Sequence, residues 1–600
     1  MKSVLSSKSY AILAILLALS LGSLAGLSQP EQERRTGLVE DWSMRHVVFA
    51  RSGPVTTMMA AQRDPRSFFS WRKTALTSSR VGGAPAPQEE NAVEGRFLAL
   101  PGILNRRPRS SGAHVDWSIS LGGQSTAPAM FPAKFSFDIN AAPSCANDFV
   151  IFPVNQAPDG THENLVAFRN LYSGTVPANG MCNRTASASD SGVSATVLWS
   201  YAVGAISGHV STSPVLSLDG IKVAFVESVS GQQPHFHVLA WKSGDGVDAT
   251  NLQNAQLPSV LNSFVSSGPA AGSGTATDLA FGASGGGSGD AISSPFVDYA
   301  SDTAYVGDDR GNLVRIKNVF CFGCAGTPPA PSMDGTWGTG GTVVVGAGSC
   351  AGTANSRLTG PVQDPVTGNV YVGCADGKLY GFTSSGNALA TPSVTIGNGT
   401  ALGGVVDPPI VDGINGFVYA VSGTNGSSPV LVQAKANLSS PRTATLGGVG
   451  GFNLHSPTFN DAYFSNATST SWLVYVQGYN GGGNHAFLYG AGFDASRNMV
   501  TGTPANSITL HVTALETSPL TEFLNGSTDR LFLSLLSQNT LDAFNINAFP
   551  AGTSTTAAET GGTSGIIVDN VSAQNQASSI YFATLGGTHA AVKLTQAALQ

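Results

Sequence analysis

A chain of 600 residues with 72 glycines and only 11% charged residues suits many short strands joined by tight turns, which excludes a coiled coil and a highly charged disordered chain. The formal net charge is −7, and it is unevenly spread: residues 31–115 hold 13 Lys/Arg against 8 Asp/Glu, while residues 116–600 hold 15 against 29. So acidic a body excludes nucleic acid as its partner, because binding phosphates needs a basic surface.

Residues 1–25 read as a secretory signal peptide. Lys2 and Lys8 form a basic start, Tyr10 to Leu21 is an apolar run, and Ser23-Leu24-Ala25 offers small residues for cleavage after Ala25. The run is shorter than the roughly 20 residues that cross a bilayer. No membrane span is therefore expected after signal removal, and the protein is expected to be exported, periplasmic or extracellular. Residues 26–111 form a basic extension and linker. They contain a short apolar stretch, Val47-Val48-Phe49-Ala50, a helical pattern over 64–76 around Phe68, Phe69 and Trp71, and a Gly/Ala/Pro-rich run from Gly82 to Gln88. This extension is expected to pack loosely. Three fates are open to it: contact with an anionic envelope surface, folding back on the body, or a solvated leader.

From residue 112 onward one motif returns: a small residue or aspartate and proline, a short strand, an acidic residue, then a second apolar strand. It occurs as Ser213-Pro214 with Lys222–Val226, Ser294-Pro295 with Thr303–Val306, and Gly360-Pro361 with Asn369–Val372. It occurs again as Asp407-Pro408 with Phe417–Ala420, Ser456-Pro457 with Leu473–Val476, and Ser518-Pro519 with Leu531–Leu533. Repetition at this period predicts an all-β chain folded as a single β-propeller over residues 112–600. Eight second-strand markers, from Phe149–Phe152 to Tyr581–Ala583, predict eight four-stranded blades, with seven as the alternative. Only three strands remain for the last blade before the chain ends. The strand at 115–121 is expected to supply the fourth and to close the ring, which removes exposed sheet edges.

Export makes the six cysteines disulfide candidates. Cys145 and Cys182 bracket the first blade, Cys350 and Cys374 flank one repeat, and Cys321 and Cys324 close a local loop. Spacing alone also permits a four-cysteine zinc site from Cys321, Cys324, Cys350 and Cys374.

Two segments carry a family resemblance. Asn369-Val370-Tyr371-Val372-Gly373, running through Asp376-Gly377-Lys378-Leu379-Tyr380-Gly381-Phe382, resembles the repeat of quinoprotein-like (PQQ-repeat-like) propellers, as does Thr303-Ala304-Tyr305-Val306-Gly307 with Gly311-Asn312-Leu313. Residues 115–600 also resemble a group of uncharacterised exported bacterial propeller proteins, through Ala133-Lys134-Phe135-Ser136-Phe137-Asp138 and Asp302 to Asp309. The first resemblance implies a quinone site on the axis with an adjacent cysteine pair, a calcium ion and a catalytic aspartate. This chain has no Cys-Cys pair and no matching aspartate–asparagine grouping. No cofactor is therefore predicted, PQQ with calcium included, and the resemblance speaks to fold rather than activity.

Other motif matches lack their context. Gly282-Ala283-Ser284-Gly285-Gly286 falls in a Gly/Ser-rich insertion rather than a strand–turn–helix elbow, and Ser70-Trp71-Arg72-Lys73 lacks its companion motifs. His235 and His237 share one strand face, which is compatible with a metal only if a third ligand joins them. The inner strands begin at one mouth of the channel, where His209, Asp290, Asp407, His455 and Glu516 form the candidate ligand-binding rim. No catalytic set is predicted. The sequence reading is an exported non-enzymatic interaction platform whose partner is a protein, a glycan or an envelope polymer. The alternative is a divergent oxidoreductase, or a metal-assisted lyase or hydrolase, that uses the channel mouth.

Overall fold

The repeat motif folds into antiparallel sheets because each of its residue types fills a specific backbone need. The computed structural model describes residues 38–48, 113–122, 126–136, 144–157, 163–172, 182, 195–204, 208–229, 231–247, 274–282, 292–321, 330–346, 350, 357–464, 469–525, 528–552, 554–569, 579–587 and 589–596. The signal peptide, the helical pattern at 64–76, the linker, Asp290 and Cys324 lie outside the described residues. Proline opens the first strand of a blade, where a missing N–H and a fixed φ are tolerated. The hydroxyl residue near it accepts a hydrogen bond from the second strand: Ser518 Oγ from the Ser534 amide at 3.0 Å, Ser293 Oγ from Gly307 at 2.8 Å, and Thr359 Oγ1 from Gly373 at 3.0 Å. The acidic residue closes the turn between the two strands by accepting an amide two residues on. Asp298 does so from Ala300 at 3.0 Å, Asp364 from Val366 at 2.9 Å and Asp412 from Ile414 at 3.2 Å.

Eight sheets result, in an all-β, eight-bladed β-propeller. The first strands of blades 2 to 7 are Val215–Leu216, Phe296–Asp298, Val362–Gln363, Ile410–Asp412, Thr458–Phe459 and Thr521–Asn525. Blade 1 begins with Ala133–Ser136 and blade 8 with Ile567–Asp569. First strands of neighbouring blades touch one another, as Phe296–Asp298 touches Val362–Gln363, and that strand touches Ile410–Asp412. They therefore line the axis, and later strands of each blade lie farther out. Between blades the faces are packed with apolar side chains, among them the fully buried Trp117, Trp199 and Trp337.

Ala113–Ser120 pairs antiparallel with Ala590–Gln596 and completes blade 8. The closure expected from the strand count is thus the one observed. Cys145 is bonded to Cys182 and Cys350 to Cys374, which removes the last two cysteines from any zinc site. Cys321 is also disulfide-bonded.

The described part of the extension, residues 38–48, folds back on the ring. Leu38–Glu40 adds to the inner edge of blade 1 by pairing with Ala133–Ser136, and Val47–Val48 pairs in parallel with Ile410–Asp412 of blade 5. Between them Trp42–Arg45 makes one 3-10 turn capped by Asp41, whose Oδ1 accepts the Ser43 amide at 3.1 Å. Val39, Trp42 and Val47 are buried, so this piece is packed rather than loose. Among the described residues, no helix is long and apolar enough to cross a membrane.

Candidate functional site

Three of the five rim residues predicted from sequence come together, and the blade order explains which. Asp407, His455 and Glu516 each precede the first strand of blades 5, 6 and 7. His455 Nδ1 lies 3.2 Å from Asp407 Oδ1 and Nε2 lies 2.8 Å from Glu516 Oε1. Asp407 Oδ2 accepts the Ser456 amide at 2.8 Å. Between blades 2 and 3 the inter-blade bond runs the other way round the ring, from the Ser213 amide to Ser294 Oγ at 2.9 Å. Asp407 thus performs the fastening that serine performs elsewhere, and adds a charge. His209 sits in blade 2, where its backbone bridges Ser228. Asp290 lies outside the described residues.

Burial works against charge on His455, but the Asp407 and Glu516 carboxylates outweigh it and push the imidazole up to about 10. Burial likewise works to raise Asp407, yet His455 and the Ser456 amide hold it below the usual carboxylate range. At neutral pH His455 is a cation donating from both ring nitrogens, and is not available as a general base. Stability follows from the sign of the shift. The folded value lies above the ordinary 6.5, so the contribution is complete below about pH 6.5 and is lost as pH rises through about 10. We expect the denaturation midpoint of the wild type to fall across that window and the fall to be shallower in His455→Gln. Equal slopes in the two proteins would remove His455 as the cause.

The sequence reading missed the axial residues of the extension. Arg45 donates from Nη1 to Thr521 Oγ1 and to the Ile566 carbonyl, both at 2.5 Å, and from Nη2 to the Leu520 carbonyl at 2.5 Å. Its guanidinium lies 5.1 Å from the centre of the Phe131 ring. Burial lowers Arg45 to about 9, opposed by Glu522. His46 faces Asp407, but burial still pushes it down to about 3, so the ring is neutral. Glu40 is opposite Lys134 in the strand pair, and burial pushes its carboxyl up to about 8. The only sequence signal for these residues was the apolar pair Val47-Val48 beside Asp41-Trp42-Ser43, a strand next to a capped turn.

Residues 38–48 and the inner strands form a partly open cavity of about 120 Å3, lined by Glu40, Asp41, Arg45 and His46 on one side and by residues of blades 5 to 8 on the other. Phe131, just before blade 1, completes the wall.

The other histidine pair is engaged within blade 2. His237 Nε2 lies 2.9 Å from Glu227 Oε2 and its Nδ1 2.7 Å from the Thr277 carbonyl, while His235 Nδ1 lies 2.5 Å from Asp278. Among the described residues no group of three or more His, Cys, Asp and Glu is arranged to hold a metal ion.

No family model and no curated protein matches the chain. Among solved structures it is similar to Sqt1 of Saccharomyces cerevisiae, at 10% identity and TM-score 0.44, covering 80% of this chain and 99% of that one. It is also similar to the C-terminal WD40 domain of Sif2, at 8% identity and TM-score 0.40, over 81% and 99% of the two chains. A putative 6-phosphogluconolactonase of Bacteroides fragilis matches at 10% identity and TM-score 0.37, over 70% and 98%. Likeness at this level carries nothing about what the chain binds. The architecture rests on its own strand pairing.

Proposed function

We propose that this protein is an exported, non-enzymatic β-propeller that serves as a binding platform at the cell envelope or outside the cell. Its partner on this reading is a protein, a glycan or an envelope polymer. The observation that carries the reading is the state of the axial rim. Asp407, His455 and Glu516 are engaged with one another, and Asp407 also holds the next blade. The trio behaves as a fastening between blades 5, 6 and 7 rather than as a free base or nucleophile. A closed ring of this kind holds loops from many blades in fixed relation, and such loops are where binding residues concentrate.

The test offers the immobilised mature protein separately to protein, glycan and polymer fractions of an envelope extract, across a salt series. Saturable retention of one fraction that persists at raised salt is the expected result. Retention lost at raised salt would place recognition in the basic extension. No retention at any salt would overturn the platform. So would substrate turnover by the pure protein that disappears in the double variant Asp407→Asn, His455→Gln, which would move the function to the channel mouth.

A further inference from the structure

The polar lining of the axial cavity contains buried polar atoms without hydrogen-bond partners among the described residues. Glu40 is only 5% exposed, and neither of its carboxyl oxygens has a hydrogen-bond partner among the described residues. His46 is 2% exposed, and its Nδ1 has no hydrogen-bond partner among the described residues. In a neutral imidazole either nitrogen can carry the proton, so the unpartnered Nδ1 can present a lone pair. Both side chains line the cavity. Leaving such groups buried and unpaired is costly, and a ligand that brings N–H donors removes the cost.

We propose that this cavity binds a small organic ammonium compound with an apolar body, its nitrogen on Glu40 and His46 and its hydrocarbon among Phe131, Phe459, Phe464 and Phe523.

Size, charge and wall chemistry select this class. A volume of about 120 Å3 far exceeds what one water requires, and matches a ligand of several non-hydrogen atoms. Three carboxyl side chains line it, from Glu40, Asp41 and Glu522, against the single guanidinium of Arg45, and Glu40, which burial holds protonated near neutrality, releases its proton to solvent as an ammonium docks. Two of that guanidinium's nitrogens already donate to Thr521, Ile566 and Leu520, which leaves an anionic ligand poorly served. Phenylalanine rings attract cations through their faces and accept hydrocarbon equally well. Lys134, the cation opposite Glu40, is 3.1 Å from Asp569 and also bonds Ser136, so it does not take the place of a donor to Glu40. The inference stands apart from the platform reading, since it concerns the axis and not the loops.

The experiment titrates the full mature chain with benzylammonium and n-butylammonium chloride, and with benzyl alcohol, n-butanol, benzoate and butyrate as controls, by calorimetry and ligand-observed NMR. We expect saturable binding of the two ammonium probes, at least tenfold weaker binding of the alcohols, and none of the carboxylates. Glu40→Gln is expected to weaken the ammonium probes by about ten- to a hundredfold, the range of a hydrogen bond to a charged group. Equal binding of amine and alcohol by the wild type would overturn the proposal without any variant. So would a Glu40→Gln protein with wild-type melting behaviour and undiminished amine affinity.

Discussion

Replacing Lys593 with methionine is expected to destabilise the fold by about 3–5 kcal/mol, the usual result of stranding one member of a buried ion pair. Lys593 stands on the last strand of the chain. Its Nζ lies 2.8 Å from Asp116 Oδ2 and 2.7 Å from the Leu171 carbonyl, and the Tyr172 ring centre is 5.0 Å away. Lys593 and Asp116 are both fully buried. The pairing of Ala113–Ser120 with Ala590–Gln596 shifts register between Val115 and Trp117, so Asp116 is the bulged residue. A bulge of this kind re-aims a side chain, and here it accompanies a carboxylate facing the ammonium of the partner strand. Loss of the ammonium leaves that carboxylate buried at the seam where the two ends of the ring meet. Loosening the seam exposes strand edges, and aggregation should accompany the lower stability. The double variant Asp116→Leu, Lys593→Met should recover most of the loss, since a well-packed apolar pair replaces a buried ion pair at little cost. Denaturant unfolding of the three proteins decides the matter. A Lys593→Met protein within 1 kcal/mol of the wild type would show that the pair does not hold the seam.

The second large effect is expected at Trp42. It is 1% exposed, and its indole lies 4.9 Å from the His46 ring. Truncating a buried tryptophan to alanine costs about 3–5 kcal/mol through lost burial and the cavity left behind. Gly360 supports this placement. A Cβ there would lie 2.8 Å from the far edge of the indole, which explains why the small residue before proline in that repeat is glycine and not serine. In Trp42→Ala the segment 38–48 should lose its anchor between blades 1 and 5 while the blades keep their strands. The expected signature is a lowered melting temperature, unchanged far-ultraviolet circular dichroism and new protease cleavage within 38–48. Unchanged melting together with protection of that segment would mean that the two short strand pairings hold it without the indole.

Much of this molecule was legible in sequence, and the reason is local. Proline, the nearby hydroxyl or aspartate residue and the turn acid all act within one hairpin, so their spacing marks blades 2 to 7, while blade 8 has Gly565 where the proline would stand. The pairs Cys145–Cys182 and Cys350–Cys374 were legible for the same reason, because each spans a single repeat. The rim was legible only in part. Position within a repeat tells how far along the axis a residue lies, and that put His209, Asp290, Asp407, His455 and Glu516 at one mouth. Which blade it belongs to tells where around the ring it lies, and only adjacent blades bring side chains within bonding distance. Asp407, His455 and Glu516 belong to consecutive blades, whereas His209 belongs to blade 2.

By itself the sequence determined the all-β class, the propeller repeat and the strand that closes the ring, and left eight blades ahead of seven, because each follows from patterns repeated between neighbours in the chain. Only the tertiary structure decided the buried charges and the axial cavity. Lys593 meets Asp116 across 477 positions and Arg45 meets Ile566 across 521. Contacts of that kind form when a ring closes on itself, and no local pattern of residues announces them. The same is true of Glu40 and His46, whose burial comes from eleven residues of the extension, 38–48, lying along an axis that exists only once the blades have assembled.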